Sequence, residues 1–326
     1  MLKRWCAMLA GVVLVASALA GCGGDADAGI DPGDSKITMG FSQVGSESGW
    51  RTANTKSVQE AAAAAGIELK FSNAEQKQEI QIAAMRGYIA DRVDVIAFSP
   101  VVESGWDTVL QEAKDAGIPV ILTDRAIDST DRTLYRTFLG SDFVEEGRKA
   151  GEWLVNEYRG QPEPVIIVES QGTTGSAPAN HRKSGFADVI RAEPKFKVVA
   201  SRDGEFTRVK GERVMREFLR AHPDIDVLYA HNDEMGLGAI KAIEAAGRRP
   251  GTDIKIITVD AVRDGMTALI AGKINFIVEC SPLLGPQLMD LARKVIAGES
   301  VPARVVTEET TFTAEQARVA LPDRQY

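Results

Sequence analysis

The chain has 326 residues, 44% of them hydrophobic and 26% charged, with 30 glycines and 13 prolines. This balance excludes disorder, a collagen-like rod and a many-span membrane protein, and the length suits two domains that each bury their own core. Lys plus Arg number 38 against 46 Asp plus Glu, a net charge of −8 with no basic patch set apart, which argues against a nucleic-acid partner.

Residues 1–21 begin with Lys3 and Arg4, continue through an apolar run over 8–20, and end in Leu19-Ala20-Gly21 just before Cys22. This is the layout of an export signal, with an apolar stretch too short to span a bilayer comfortably. Cys22 after small residues resembles the lipobox of bacterial lipoproteins, whose thiol is acylated after cleavage. Acyl chains add about 0.8 kcal/mol per buried methylene, so the expectation is a protein anchored to a membrane without spanning it. Residues 22–35, rich in Gly, Asp and Ala, read as a polar tether between lipid and fold. With Cys6 lost and Cys22 acylated, only Cys280 remains, which excludes an intramolecular disulfide. Beside Phe276, Ile277 and Val278 it reads as a small buried apolar residue.

From Lys36 onward strands and helices alternate. Strands are predicted over 37–42, 68–72, 95–99 and 119–123, with helices over 51–65, 76–90 and 105–116; Gly66 and Gly117 stand where helices end. The rhythm restarts with strands over 165–169, 198–201, 227–230 and 254–259, and helices over 179–191, 209–220 and 234–246. Asp94-Val95, Ala116-Gly117 and Asp124 are echoed by Asp226-Val227, Ala246-Gly247 and Asp260. This pattern predicts an α/β protein of two doubly wound, mainly parallel sheets in tandem.

Such sheets bind ligands beyond the carboxyl ends of their strands. The residues expected there are Gln43, Glu47, Ser99, Asp124, Arg125, Gln171, Asn232, Asp233 and Asp260, a strongly polar set. Catalytic and cofactor motifs are missing. Gly272-Lys273 lacks the Ser or Thr of a phosphate loop, Gly45-Ser46-Glu47-Ser48-Gly49 has Glu where a nucleophile elbow has Ser, and Gly236-Leu237-Gly238 reads as helix packing. His181, His222 and His231 lack ligand spacing, so neither metal nor cofactor is expected. The polar set suits a sugar. Asp124 and Asp260 can accept from adjacent hydroxyls, Arg51, Arg125 and Arg182 donate in a fixed fork, and Asn232 does both; Trp50 or Phe206 can cover the C–H face.

Several stretches make the chain similar to bacterial periplasmic sugar-binding proteins of the ribose/galactose type, the extracytoplasmic receptors of ABC importers. They are the run from Gly40 through Ser46-Glu47-Ser48-Gly49-Trp50-Arg51, Gln76-Lys77-Gln78-Glu79, Pro100-Val101-Val102, Asp124-Arg125 and Tyr229-Ala230-His231-Asn232-Asp233. Within that family it most resembles the galactofuranose-binding branch. The resemblance spans Lys36 to Tyr326 and implies a monosaccharide ligand, an ABC permease as partner, a monomer, and sugar contacts from Glu47, Arg51, Asp124, Arg125, Arg182, Asn232 and Asp260. It also implies two interleaved lobes joined by a three-segment hinge, with 36–139 plus 263–280 in the first and 140–262 plus 281–326 in the second. A sensory receptor on the same pocket is the alternative function. A DNA-binding regulator on this fold would need a helix-turn-helix where the signal and tether stand. A glycosidase would need two carboxylates flanking a bond, for which Asp124 and Asp260 are the candidate pair.

Overall fold

The computed structural model describes residues 36–326, which form two α/β lobes. The export signal, Cys22 and the tether fall outside the described residues. The first sheet is parallel throughout, in the order β2 (Glu68–Asn73), β1 (Thr38–Gln43), β3 (Val95–Phe98), β4 (Val120–Thr123), β5 (Thr137–Gly140) and β11 (Arg304–Val306). The second is ordered β7 (Phe196–Asp203), β6 (Val165–Gln171), β8 (Val227–Ala230), β9 (Lys255–Asp260), β10 (Phe276–Glu279) and β12 (Thr311–Phe312). Only β12 runs antiparallel to its neighbour. Leaving aside the late additions β11 and β12, each lobe has the strand order 2-1-3-4-5, so the echo in sequence is a repeat in space.

Helices cover both faces of both sheets, and the strands are correspondingly apolar. All four residues of β3 and of β4 are buried, as parallel strands between two helical layers must be. Val95 and Ala97 join a cluster with α1 (Gly49–Ala64) and α9 (Gly285–Ile296), while Ile96 and Phe98 join the opposite one with α2 (Gln78–Ala90) and α3 (Asp107–Asp115). In the second lobe, α4 (Phe143–Glu157) and α5 (Ala177–Ile190) cover one face. The other is covered by α6 (Arg208–Ala221), α7 (Asp233–Ala245), α8 (Arg263–Ile270) and α10 (Ala314–Ala320). Among the described residues no helix is long and apolar enough to cross a membrane.

The chain's return to the first lobe differs from the expected one. Residues 263–280 stay in the second lobe, because β10 continues the ladder of β9 from Phe276↔Ile257 to Glu279↔Asp260. The return is made instead by α9, whose Leu284, Leu288 and Leu291 side packs with Val58 and Ala62 of α1, and by β11 on β5. β12 then goes back to β10. The chain therefore passes between lobes three times, at 141–142, 280–284 and 307–310.

Candidate functional site

The residues that face the gap between lobes are placed by the strand ends and the first turns of helices. Ser48 caps α1 by accepting from the Arg51 backbone N–H at 3.1 Å, which sets Trp50 and Arg51 in the opening turn. Asp124 and Arg125 leave β4, Phe206 follows β7, Asn232 caps α7, and Asp260 ends β9. Three of these carry left-handed or otherwise positive backbone angles, φ 62° at Asp124, 58° at Phe206 and 115° at Asp260. Non-glycine residues hold such angles only where their surroundings enforce them, and such positions cluster at functional sites. Gly172 explains how Phe206 fits: a Cβ there would lie 1.8 Å from the ring.

Glu47, Trp50, Arg51, Asp124, Arg125, Arg182, Phe206, Asn232 and Asp260 line one cavity, together with Ser48, Phe143, Pro178 and Cys280. On the first-lobe side, Arg51 is the organiser. Its Nη1 donates to Asp124 Oδ2 at 2.7 Å and to Gln43 Oε1 at 3.1 Å, and its Nε donates to Glu47 Oε1 at 3.0 Å. Ser99 Oγ donates to the same Asp124 oxygen at 2.8 Å. Burial alone would push Asp124 up, but the Arg51 and Arg125 guanidinium groups and these hydrogen bonds hold it below the usual carboxylate value. Burial lowers Arg125 to about 10, with repulsion from Arg51 adding to it and Asp124 and Glu47 opposing. Arg125 Nη1 donates to the Val101 carbonyl at 3.1 Å, and its guanidinium lies 5.3 Å from the Phe206 ring centre, across the gap. Two buried atoms in this group lack partners, Glu47 Oε2 and Arg125 Nε.

The second-lobe side repeats the plan with Arg182. Its Nε donates to Glu146 Oε2 at 2.6 Å, its Nη1 donates to the His231 carbonyl at 2.6 Å, and Nη2 stands 3.9 Å from Asp260 Oδ1. Burial pushes the Asp260 carboxyl well up, against the pull of Arg182 and helped by Asp233. Asn232 is committed on both sides: Oδ1 accepts from Met235 N at 3.0 Å and Nδ2 donates to the Phe206 carbonyl at 3.1 Å, leaving a second N–H free to reach the cavity. Trp50 Nε1 donates to the Cys280 carbonyl at 2.7 Å, tying α1 to the middle crossover.

The lobes are closed on one another. Glu103 N donates to the Gly175 carbonyl at 2.9 Å, the Asn180 amide donates to Glu103 Oε2 at 2.5 Å, and His181 Nε2 lies 3.4 Å from Glu103 Oε1. On the other flank Gly49 N donates to Glu234 Oε1 at 3.3 Å.

Other expected strand-end residues lie behind the cavity. Gln43 and Ser99 brace Arg51 and Asp124, Gln171 bonds Ser201, and Asp233 is a structural carboxyl held by Thr258 Oγ1 at 2.5 Å and Val262 N at 2.8 Å. Phe143, Pro178, Cys280 and the supporting Glu146 were not found by sequence reasoning. Phe143 and Glu146 sit on the buried face of α4, where Gly147 and Gly151 lower the helical propensity, and Pro178 looks like an ordinary first-turn proline. Cys280 is buried as expected, yet it also lines the cavity.

Residues 39–300 match the periplasmic binding protein domain. The chain belongs to that family. This periplasmic binding protein is 43% identical over 293 residues to the galactofuranose-binding protein YtfQ of Escherichia coli, covering 89% of this chain and 92% of the relative. It is 61% identical, with a TM-score of 0.88, to a Mycobacterium smegmatis protein solved in complex with β-D-fucofuranose, covering 89% of this chain and 95% of that one. It is 46% identical, with a TM-score of 0.85, to the binding component of the arabinose ABC transporter of Shewanella sp. ANA-3, solved with α- and β-L-arabinofuranose; the coverage is 89% and 96%. Like these relatives, this periplasmic binding protein is a binding protein and not an enzyme.

Proposed function

We propose that this protein captures a monosaccharide in its furanose ring form, galactofuranose or a close relative, between its lobes and delivers it to an ABC import permease on the extracytoplasmic side, held there by a lipid on Cys22. The observation that carries this is that two buried side chains among those lining the cavity each keep one unpartnered atom, Glu47 Oε2 and Arg125 Nε. One is an acceptor and the other a donor, and a sugar hydroxyl supplies both complements at once. The remaining charges are largely spent on each other, since Arg51 pairs with Asp124 and Glu47, and Arg182 with Glu146. A pocket whose charges are already paired favours a neutral polyol over an ionic ligand. The furanose form is supported by the relatives solved with fucofuranose and arabinofuranose.

Glu47, Arg51, Asp124 and Arg125 then hold the ligand from one lobe, and Arg182, Asn232 and Asp260 from the other, with Trp50 and Phe206 as apolar walls. The full set of bonds exists only with the lobes shut, so ligand shifts the open–closed equilibrium toward closed, the state a permease recognises. The test is a melting-temperature screen of the unlipidated domain against D-galactose, D-fucose, L-arabinose and D-glucose, the last being almost wholly pyranose in water. Ligand at 100 times its Kd adds about 2.7 kcal/mol to the folded state, a clear upward shift. Stabilisation by the first three and not by glucose is expected; a flat response to all four, or to all but glucose, overturns the reading.

A further inference from the structure

Behind the cavity, one carboxyl gathers all three crossovers. Glu309, in the third, has its Oε1 accept from Ser141 Oγ of the first at 2.5 Å, from Ser281 N of the second at 2.9 Å, and from Thr307 Oγ1 of the third at 2.9 Å. Cys280 Sγ lies 3.3 Å from the same Ser141 hydroxyl. Ligating atoms of Glu146, Cys280 and Glu309 all fall within 4.8 Å of one another. Glu146, 1% exposed, gives Oε2 to Arg182, while its Oε1 has no partner.

The charges around this group do not balance with every acid ionised. Arg182 already serves Glu146 at 2.6 Å and Asp260 at 3.9 Å. The other nearby cations turn to carbonyls: Arg304 Nη2 donates to Ser141 O at 2.6 Å, and Lys149 Nζ to the Glu309 carbonyl at 3.1 Å. A third buried carboxylate would have no cation of its own, which burial does not tolerate. A proton on Glu309 removes that charge and supplies a donor for the idle Glu146 oxygen.

We propose that Glu309 is a neutral hinge clasp whose protonated carboxyl binds the three crossovers together and, by sharing its proton with Glu146, positions Arg182 at the cavity. Burial, with the Glu146 charge beside it, pushes Glu309 up to about 8, and burial likewise raises Glu146 and the Cys280 thiol. Glu309 is a positioning residue; its effect on ligand rests on the sugar-binding reading above, but its protonation does not.

The folded state keeps a proton that the unfolded chain, with an ordinary value of 4.5, releases. Stability contributed by that proton therefore falls as pH rises from about 4.5 to about 8 and is level above. Glu309→Gln keeps the shape and the donor but cannot titrate. Melting curves of the ligand-free domain from pH 5 to 9.5 should show the wild-type Tm falling relative to E309Q up to about pH 8, then running parallel. Parallel curves throughout overturn the proposal. With D-galactose as probe, wild-type Kd should rise above neutral pH by up to about tenfold per unit while E309Q stays within about twofold of its neutral value. An equal alkaline loss in both proteins overturns the coupling to Arg182. If no sugar binds while the Tm difference follows the expected course, the functional reading fails and the clasp stands. Should E309Q not fold, Thr307→Val, which removes a donor to the ionised carboxyl, should move the wild-type transition to higher pH; an unmoved transition counts against the clasp.

Discussion

Asp124 has to reconcile three demands: it is buried, it is charged, and its backbone is left-handed at φ 62°. Arg51 and Ser99 meet the charge on the same oxygen, and a short polar side chain eases the backbone. The two obvious substitutions therefore separate. Asp124→Asn keeps the backbone preference and much of the shape, so it should fold with a modest loss of Tm yet bind sugar at least tenfold more weakly, measured by titration calorimetry. Asp124→Ala leaves Arg51 with one carboxylate fewer in a buried site and should cost about 3 to 5 kcal/mol in denaturant melts. Asp124 is held below the ordinary 3.8, so the stability it adds is present above that pH and fades as pH falls through its own lower value, opposite to Glu309. The places of Asp124 and Asp260 at the cavity were legible because the strand ends of doubly wound sheets line the ligand edge. Phe143 and Pro178 were not, since an apolar wall has the composition of a core. The commitment of the Asn232 amide to its own helix start is likewise a matter of geometry that composition does not carry.

Helix packing gives a test in which one substitution takes opposite signs. Gly238 of α7 lies against α6, where an added Cβ would stand 2.0 Å from the Arg208 carbonyl oxygen, whereas Gly87 of α2 has nothing within 4 Å. Gly238→Ala should force the two helices apart and lower stability by about 1 to 3 kcal/mol or more. Gly87→Ala should raise it by about 0.5 to 1 kcal/mol, through helix propensity alone. A thermal melt of each variant decides; equal shifts would mean the α6–α7 contact is looser than the structure places it. Gly236-Leu237-Gly238 imitates a dinucleotide fingerprint for packing reasons, Gly238 lying against α6 and Gly236 against Thr258 of β9. Elements with strong apolar runs, such as β3 and β8, were readable from sequence. α4 was not, because Gly147 and Gly151 weaken its helical signature; they are there because α5 packs directly on them, with an added Cβ at Gly147 lying 2.2 Å from Arg182 O. β11 and β12, three and two residues long, carry no periodicity to detect. The return over 263–280 was implied by the family resemblance alone, and the ladder of β10 on β9 overturns it.

Closure of the whole molecule draws on two separate sets of contacts, and they can be weakened independently. Cavity residues meet across the gap in two places, Arg125 against Phe206, and Trp50, which packs with the second-lobe core and donates to the Cys280 carbonyl. The rim contacts join the lobes directly, chiefly through Glu103 with Asn180 and His181. Glu103 is 17% exposed and His181 41%, so their pairing is screened and worth roughly 0 to 1 kcal/mol. Glu103→Ala should therefore leave the cavity intact and shift the ligand-free protein toward the open form. By linkage Kd can rise by no more than the loss of closed population, at most about fivefold for 1 kcal/mol. Small-angle scattering should then show a larger radius of gyration without sugar and the wild-type value with saturating sugar. Pocket variants differ in kind, because they lose affinity without a change in the ligand-free radius. An E103A protein whose ligand-free radius and Kd both match the wild type would mean that the rim contributes nothing to the equilibrium, leaving closure to the three crossovers and the ligand.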